Sequence, residues 1–110
     1  MPSYLFIESR EPFGSRDVDD VYRLIADLAV GGTPVTLFLV QNGVLAVRQE
    51  AVAGGFGALA TAPGVTVLAD TFALQERGIS TNTLTPGVQA ADMETLVDLL
   101  MTDGQKAIWH

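Results

Sequence analysis

The chain has 110 residues, 48% of them hydrophobic and 17% charged, with 13 acidic residues against 6 basic ones and no cysteine. That length suits one domain spanning 1–110, because two halves would each be too small to bury a core, and the apolar fraction is too high for disorder. A formal net charge of −7 speaks against nucleic acid and anionic membrane surfaces, and the missing thiol excludes disulfides, thiolate metal sites and a cysteine nucleophile.

Tyr4-Leu5-Phe6-Ile7 is a short apolar run that stops at Glu8-Ser9-Arg10, which predicts a buried first strand. Pro12 and Gly14 place a loop after it. Val18, Val21, Tyr22, Ile25, Leu28 and Ala29 then recur at helical spacing, with acids on the other face. Ser15 or Asp17 is positioned to cap that helix, and Gly31-Gly32 ends it. Val35 to Val40 is continuously apolar and β-branched, the pattern of a central parallel strand buried on both faces. Gln41-Asn42-Gly43 is a turn, Val44 to Val47 begins a short helical turn, and Gln49 to Ala62 reads as a glycine-weakened helix. The stretch from Leu28 to Val47 carries no charge, but Gly31-Gly32-Thr33-Pro34 and Gln41-Asn42-Gly43 break it, so it is not a membrane span.

After Pro63-Gly64, Val65 to Ala69 forms a third strand, and Thr71 to Arg77 a short helix with Gly78 as its C′ residue. Ile79 to Gln89 is loop-like. Met93, Leu96, Val97, Leu100 and Met101 make one helical stripe, Gly104 ends it, and Lys106 to His110 is a short final strand or tail. Strands alternating with helices imply an α/β fold: a three-layer α/β/α sandwich around a mainly parallel sheet of four or five strands. Ligands in such sheets bind at the carboxyl ends of strands. Glu8, Ser9, Arg10, Asn42, Gly43 and Asp70 occupy those ends and are the candidate ligand-binding residues.

Four segments in order resemble the DsrE/DsrF-like, or sulfur-relay (Tus-type), family. They are Arg10-Glu11-Pro12-Phe13-Gly14-Ser15 before the long helix, Val40-Gln41-Asn42-Gly43-Val44 after the second strand, Leu74-Gln75-Glu76-Arg77-Gly78-Ile79, and Leu84 to Val88 with the helix and strand that follow. The resemblance covers nearly the whole chain. It implies the same sandwich, assembled into a homo-oligomer (dimer, trimer or hexamer), with other sulfur-relay-family subunits as possible partners. Many members carry persulfide sulfur on a cysteine eight residues before the glycine of the Arg-Gly pair. Here that position is Asp70. A carboxylate cannot carry sulfane sulfur, so this chain is expected not to be a sulfurtransferase by itself.

Each candidate has a plainer reading. Asp70 is placed to cap the following helix, and the two roles are compatible. Asn42-Gly43 could offer backbone N–H groups to an anion, but is also an ideal turn pair. Arg10 and Arg77 could face an anionic ligand or pair with nearby acids. Gly55-Phe56-Gly57-Ala58-Leu59-Ala60 matches a dinucleotide fingerprint variant, yet no strand leads into it, so its glycines are assigned to packing. His110, the one histidine, has no sequence neighbour that would make it a metal site or a triad. Ile108 and Trp109 suit either a subunit contact or packing on the chain's own sheet.

The expected function is a non-catalytic, oligomeric structural or partner-binding subunit of the sulfur-relay type. The alternative is a protein that binds a small molecule or anion in the crevice at the strand ends. An enzyme using Glu8 or Asp70 as acid and base ranks last, because nothing in the sequence pairs them. No cofactor or metal is expected. The N-terminus lacks a basic, long-apolar leader, so a cytoplasmic location is the default expectation.

Overall fold

The computed structural model describes residues 3–13, 16–48 and 55–110. Its elements run β1 (Ser3–Glu8), α1 (Arg16–Val30), β2 (Val35–Leu39), a 3₁₀ helix (Gln41–Val47), α2 (Phe56–Ala60), β3 (Val65–Asp70), α3 (Thr71–Glu76), a second 3₁₀ turn (Thr81–Thr83), β4 (Val88–Ala91), α4 (Met93–Leu100) and β5 (Gln105–Trp109). The five strands form one sheet in the order β4-β3-β2-β1-β5, with every pair parallel.

That order explains the layers. The chain steps from β1 through β4 in one direction across the sheet, then reverses past β1 to lay down β5. Parallel crossovers are right-handed, so a reversal of direction sends the connecting helix to the opposite face. Accordingly Val18, Tyr22 and Ile25 of α1, Phe56 and Leu59 of α2 and Leu74 of α3 pack with Phe6, Leu37, Leu39 and Val67 on one face. Leu96 of α4 packs with Leu5, Ile7, Phe38 and Val40 on the other. Strand side chains alternate between faces, so both sides of β1 and β2 are buried and the continuous apolar runs are accounted for.

Local chemistry places the element ends. Asp17 and Asp19 lie in the first turn of α1, where the helix dipole favours acids, so Asp17 is inside the helix and is not its cap. The alternative cap, Ser15, lies outside the described residues. Gly78, at φ +64°, closes α3 as expected: its N–H donates to the Gln75 carbonyl at 3.1 Å and that of Ile79 to Leu74 at 2.9 Å.

Three expectations are corrected. The segment read as one turn and a new helical start is a single 3₁₀ helix over Gln41–Val47. Of the helix expected over Gln49 to Ala62, only Phe56–Ala60 is helical among the described residues, and 49–54 lie outside them. The loop expected over Ile79 to Gln89 holds a 3₁₀ turn and runs into β4, whose four residues carry no strand pattern of their own. Register against β3 defines that strand, Val67 to Asp70 facing Val88 to Ala91.

Candidate functional site at the strand ends

The reversal of winding falls between β1 and β5, so the crevice typical of parallel α/β sheets is expected beside their carboxyl ends. Parallel register pairs Phe6 with Ile108 and Ile7 with Trp109, which carries His110 to the end of β1. The backbone locks it there. The His110 N–H donates to the Ile7 carbonyl at 2.8 Å, and its own carbonyl accepts from the Ser9 N–H at 3.2 Å and the Ser9 hydroxyl at 3.0 Å.

Glu8 has no solvent exposure. A buried carboxylate is costly unless paired and hydrogen-bonded. His110 meets this need: its Nδ1 lies 2.7 Å and 3.0 Å from the two Glu8 oxygens, while the Arg10 N–H donates to Glu8 Oε2 at 3.1 Å. The sequence reading of His110 as a partnerless imidazole is therefore corrected. Its partner lies 102 positions away, and the return of β5 beside β1 unites them. A carboxylate that orients one imidazole nitrogen leaves the other free for a proton. The Ser9 hydroxyl is engaged with the His110 carbonyl, so the three residues do not form a nucleophilic triad.

Tyr22 of α1 lies on the same face and is 4% exposed, and its hydroxyl has no hydrogen-bond partner among the described residues. Burial first, then the negative charges of Glu8 and Asp19, push its phenol well above its ordinary value of 10.0.

Ser9, the Arg10 backbone and Gly43 adjoin this pair, whereas Asp70, Asn42 and the Arg10 side chain are directed elsewhere. Glu8, Leu39 and Ala69 are register neighbours across β1, β2 and β3, so Asp70, one residue on, points to the opposite face. There it borders a cavity of about 370 Å³ together with Val40, Gln41, Phe72, Met93 and Trp109. Asp70 is 4% exposed and caps α3, accepting the Ala73 N–H at 3.0 Å. Gln41, at φ +49°, holds the left-handed conformation uncommon for a residue with a side chain.

Arg10 is turned outward to Asp17, 3.4 Å away and exposed. Asn42 binds Arg77, whose Nε and Nη2 donate to Asn42 Oδ1 at 3.2 Å and 3.0 Å. Gly43 serves close approach: a Cβ built there would lie 2.2 Å from the Glu8 carbonyl oxygen, which itself accepts the Val40 N–H at 2.9 Å. Among the described residues no group of three or more histidines or carboxylates is arranged to hold a metal ion.

An all-parallel five-stranded sheet with helices on both faces defines a three-layer α/β sandwich. Among solved structures the chain is similar to the ychN protein from E. coli, at 24% identity and a TM-score of 0.84 over 98% of this chain and 100% of that one. It is also similar to MTH1491 from Methanobacterium thermoautotrophicum, a protein of unknown function, at 20% identity and a TM-score of 0.70 over 98% and 99%. Both are DsrE/DsrF-like structures, and at these identities the likeness establishes the fold. The sequence matches no family model and no curated protein. No described helix is long and apolar enough to cross a membrane.

Proposed function

We propose that this chain is a self-associating, partner-binding subunit of sulfur-relay architecture that carries no sulfur itself and does no chemistry of its own. The observation that carries the reading is the outer surface of α4 and β5. Val97, Leu100, Met101 and Trp109 are exposed there, Met101 at 79% and Trp109 at 64%, with Met93 and Phe72 beside them. Among the described residues a single short helix covers this face of the sheet, and an apolar surface of that kind marks an interaction site. The occupant is a second copy. β5 is an edge strand with one side unpaired, so two copies can present the same apolar surface to each other around a two-fold axis. Further sulfur-relay-type subunits on the same surface, in the cytoplasm, extend the reading. The absence of cysteine supports its other half, since the position where the sequence resemblance would put a sulfur-carrying cysteine is Asp70.

Two measurements test it. Sedimentation should show a dimer or larger closed assembly at micromolar concentration, and a monomer would overturn the self-association. After incubation with a persulfide donor, intact mass spectrometry should show no added sulfane sulfur. A stable gain of sulfur would overturn the non-carrier assignment.

A further inference from the structure

We propose a second site, away from the strand-end carboxylates: a pocket for a phosphate-type oxyanion between the end of α3 and the 3₁₀ turn at Thr81–Thr83. The cavity measures about 350 Å³ and is lined by Arg48, Arg77, Gly78, Ile79, Ser80 and Thr83. Its composition is opposite to that of the molecule. The whole chain carries 13 acids against 6 bases, yet among the described residues this lining holds two of the arginines and no carboxylate. The cavity beside Asp70 and the groove beside Asp19 both include acids, so a free anion is favoured here and disfavoured there.

The donors are built in. Arg77 spends three of its five N–H groups inside the protein: Nε and Nη2 on Asn42 Oδ1, and Nη1 on the Ala73 carbonyl at 3.1 Å. Those bonds fix the guanidinium plane and leave one N–H on each terminal nitrogen, the fork that grips two oxygens of one anion. Glu76 lies 3.9 Å from Nη1 but does not line the cavity. Arg48 makes no hydrogen bond or ion pair among the described residues, so its full charge is available. A backbone bridge to Leu84 and the bond from the Thr85 N–H to the Val47 carbonyl at 2.9 Å hold Arg48 against this pocket. The Ser80 hydroxyl oxygen accepts from the Asn82 N–H at 3.1 Å, which leaves its proton to donate. Two guanidinium groups and a hydroxyl donor match an anion with several acceptor oxygens. The cavity is larger than the ion alone, so either inorganic phosphate or the phosphoryl end of a small metabolite fits.

The test is an amide NMR titration of the ¹⁵N-labelled full chain with inorganic phosphate, at ionic strength held constant with chloride. Saturable shifts confined to Arg48, Gly78, Ile79, Ser80 and Asn82 are expected. Arg48→Glu should bind at least about tenfold more weakly with its remaining spectrum unchanged, the loss that accompanies removal of charge-assisted donors. Arg77→Lys, which keeps the charge but not the fork, should also weaken binding. Glycerol phosphate binding more tightly than inorganic phosphate would assign the ligand as a phosphorylated metabolite, and equal affinity would assign the free ion. Shifts that do not saturate, shifts scattered over the surface, an unchanged response in Arg48→Glu, or equal binding of acetate would each overturn the proposal. The outcome is independent of the oligomeric state.

Discussion

The two faces of the sheet are built from the same strands and solve different problems. On the α1 face, Val18, Tyr22, Ile25, Phe56, Leu59 and Leu74 close over Phe6, Leu37 and Leu39, and the core is complete within the chain. On the α4 face, Leu96 alone of its helix is fully buried, and the rest of its apolar stripe meets solvent. The difference follows from topology, because three crossovers run one way across the sheet and one runs back. One face is closed within the chain, and the other leaves apolar side chains exposed.

That contrast can be broken most severely at its completed side. Leu37 is fully buried on the α1 face, so Leu37→Ala should cost about 2–5 kcal/mol through lost burial and a residual cavity. Chemical denaturation should show the loss as a lower midpoint with an unchanged slope. An equal truncation at Val97, half exposed on α4, should change monomer stability by less than about 0.5 kcal/mol.

The next effect sharpens the role of the strand ends. Among the described residues, His110→Ala leaves the buried Glu8 carboxylate with one remaining donor, the Arg10 N–H. We expect a loss of about 1–3 kcal/mol, the usual cost of stranding a buried hydrogen-bonding group. Thermal unfolding of His110→Ala and of the double variant with Glu8→Gln checks it. Neutralising Glu8 should recover part of the loss, and additive effects would refute the coupling.

Placing two charges on the open face separates stability from assembly. Val97→Lys with Met101→Lys puts cations at the carboxyl end of α4, where its dipole tolerates them, so unfolding should move within about 0.5 kcal/mol. Sedimentation of the same protein should shift to monomer. An assembly that survives both substitutions would place the subunit contact elsewhere.

The strands most visible in the sequence are those buried on two sides. Tyr4 to Ile7, Val35 to Val40 and Val65 to Ala69 announce themselves as apolar runs because both faces of the sheet are covered there. β4 lies at an edge, has only partly buried or exposed side chains, and takes its strand form from hydrogen bonds to β3. The site was legible in the same uneven way. Asp70 capping α3 and Arg10 pairing with Asp17 are local relations within seven positions, and both were readable. The Glu8–His110 and Asn42–Arg77 contacts span 102 and 35 positions and depend on which strands become neighbours. Periodicity says nothing of that. The one available signal for His110 was topological: a final strand returning beside the first would set its last residue against Glu8. Gly43 was readable as a turn glycine, but its packing against the Glu8 carbonyl requires β1 and the end of β2 to be in register.

The smallest effect concerns Tyr22, where the completed face keeps one defect. Its hydroxyl is buried without a partner among the described residues, so Tyr22→Phe removes a desolvated polar group and keeps the ring that packs 5.5 Å from Phe56, centroid to centroid. We expect stability unchanged or higher by up to about 1 kcal/mol at neutral pH, the opposite sign to the other core substitutions. The pH dependence isolates the cause. In the unfolded chain this phenol ionises from about pH 10. In the fold, burial and then the charges of Glu8 and Asp19 hold it protonated to higher pH. The unfolded state therefore loses the proton first, so the stability present below pH 10 declines progressively above it. The wild type should lose stability between pH 10 and 11 more steeply than Tyr22→Phe, read by denaturant midpoints at each pH. Parallel curves for the two proteins would mean that water reaches the hydroxyl in the fold and that it ionises there as in the unfolded chain.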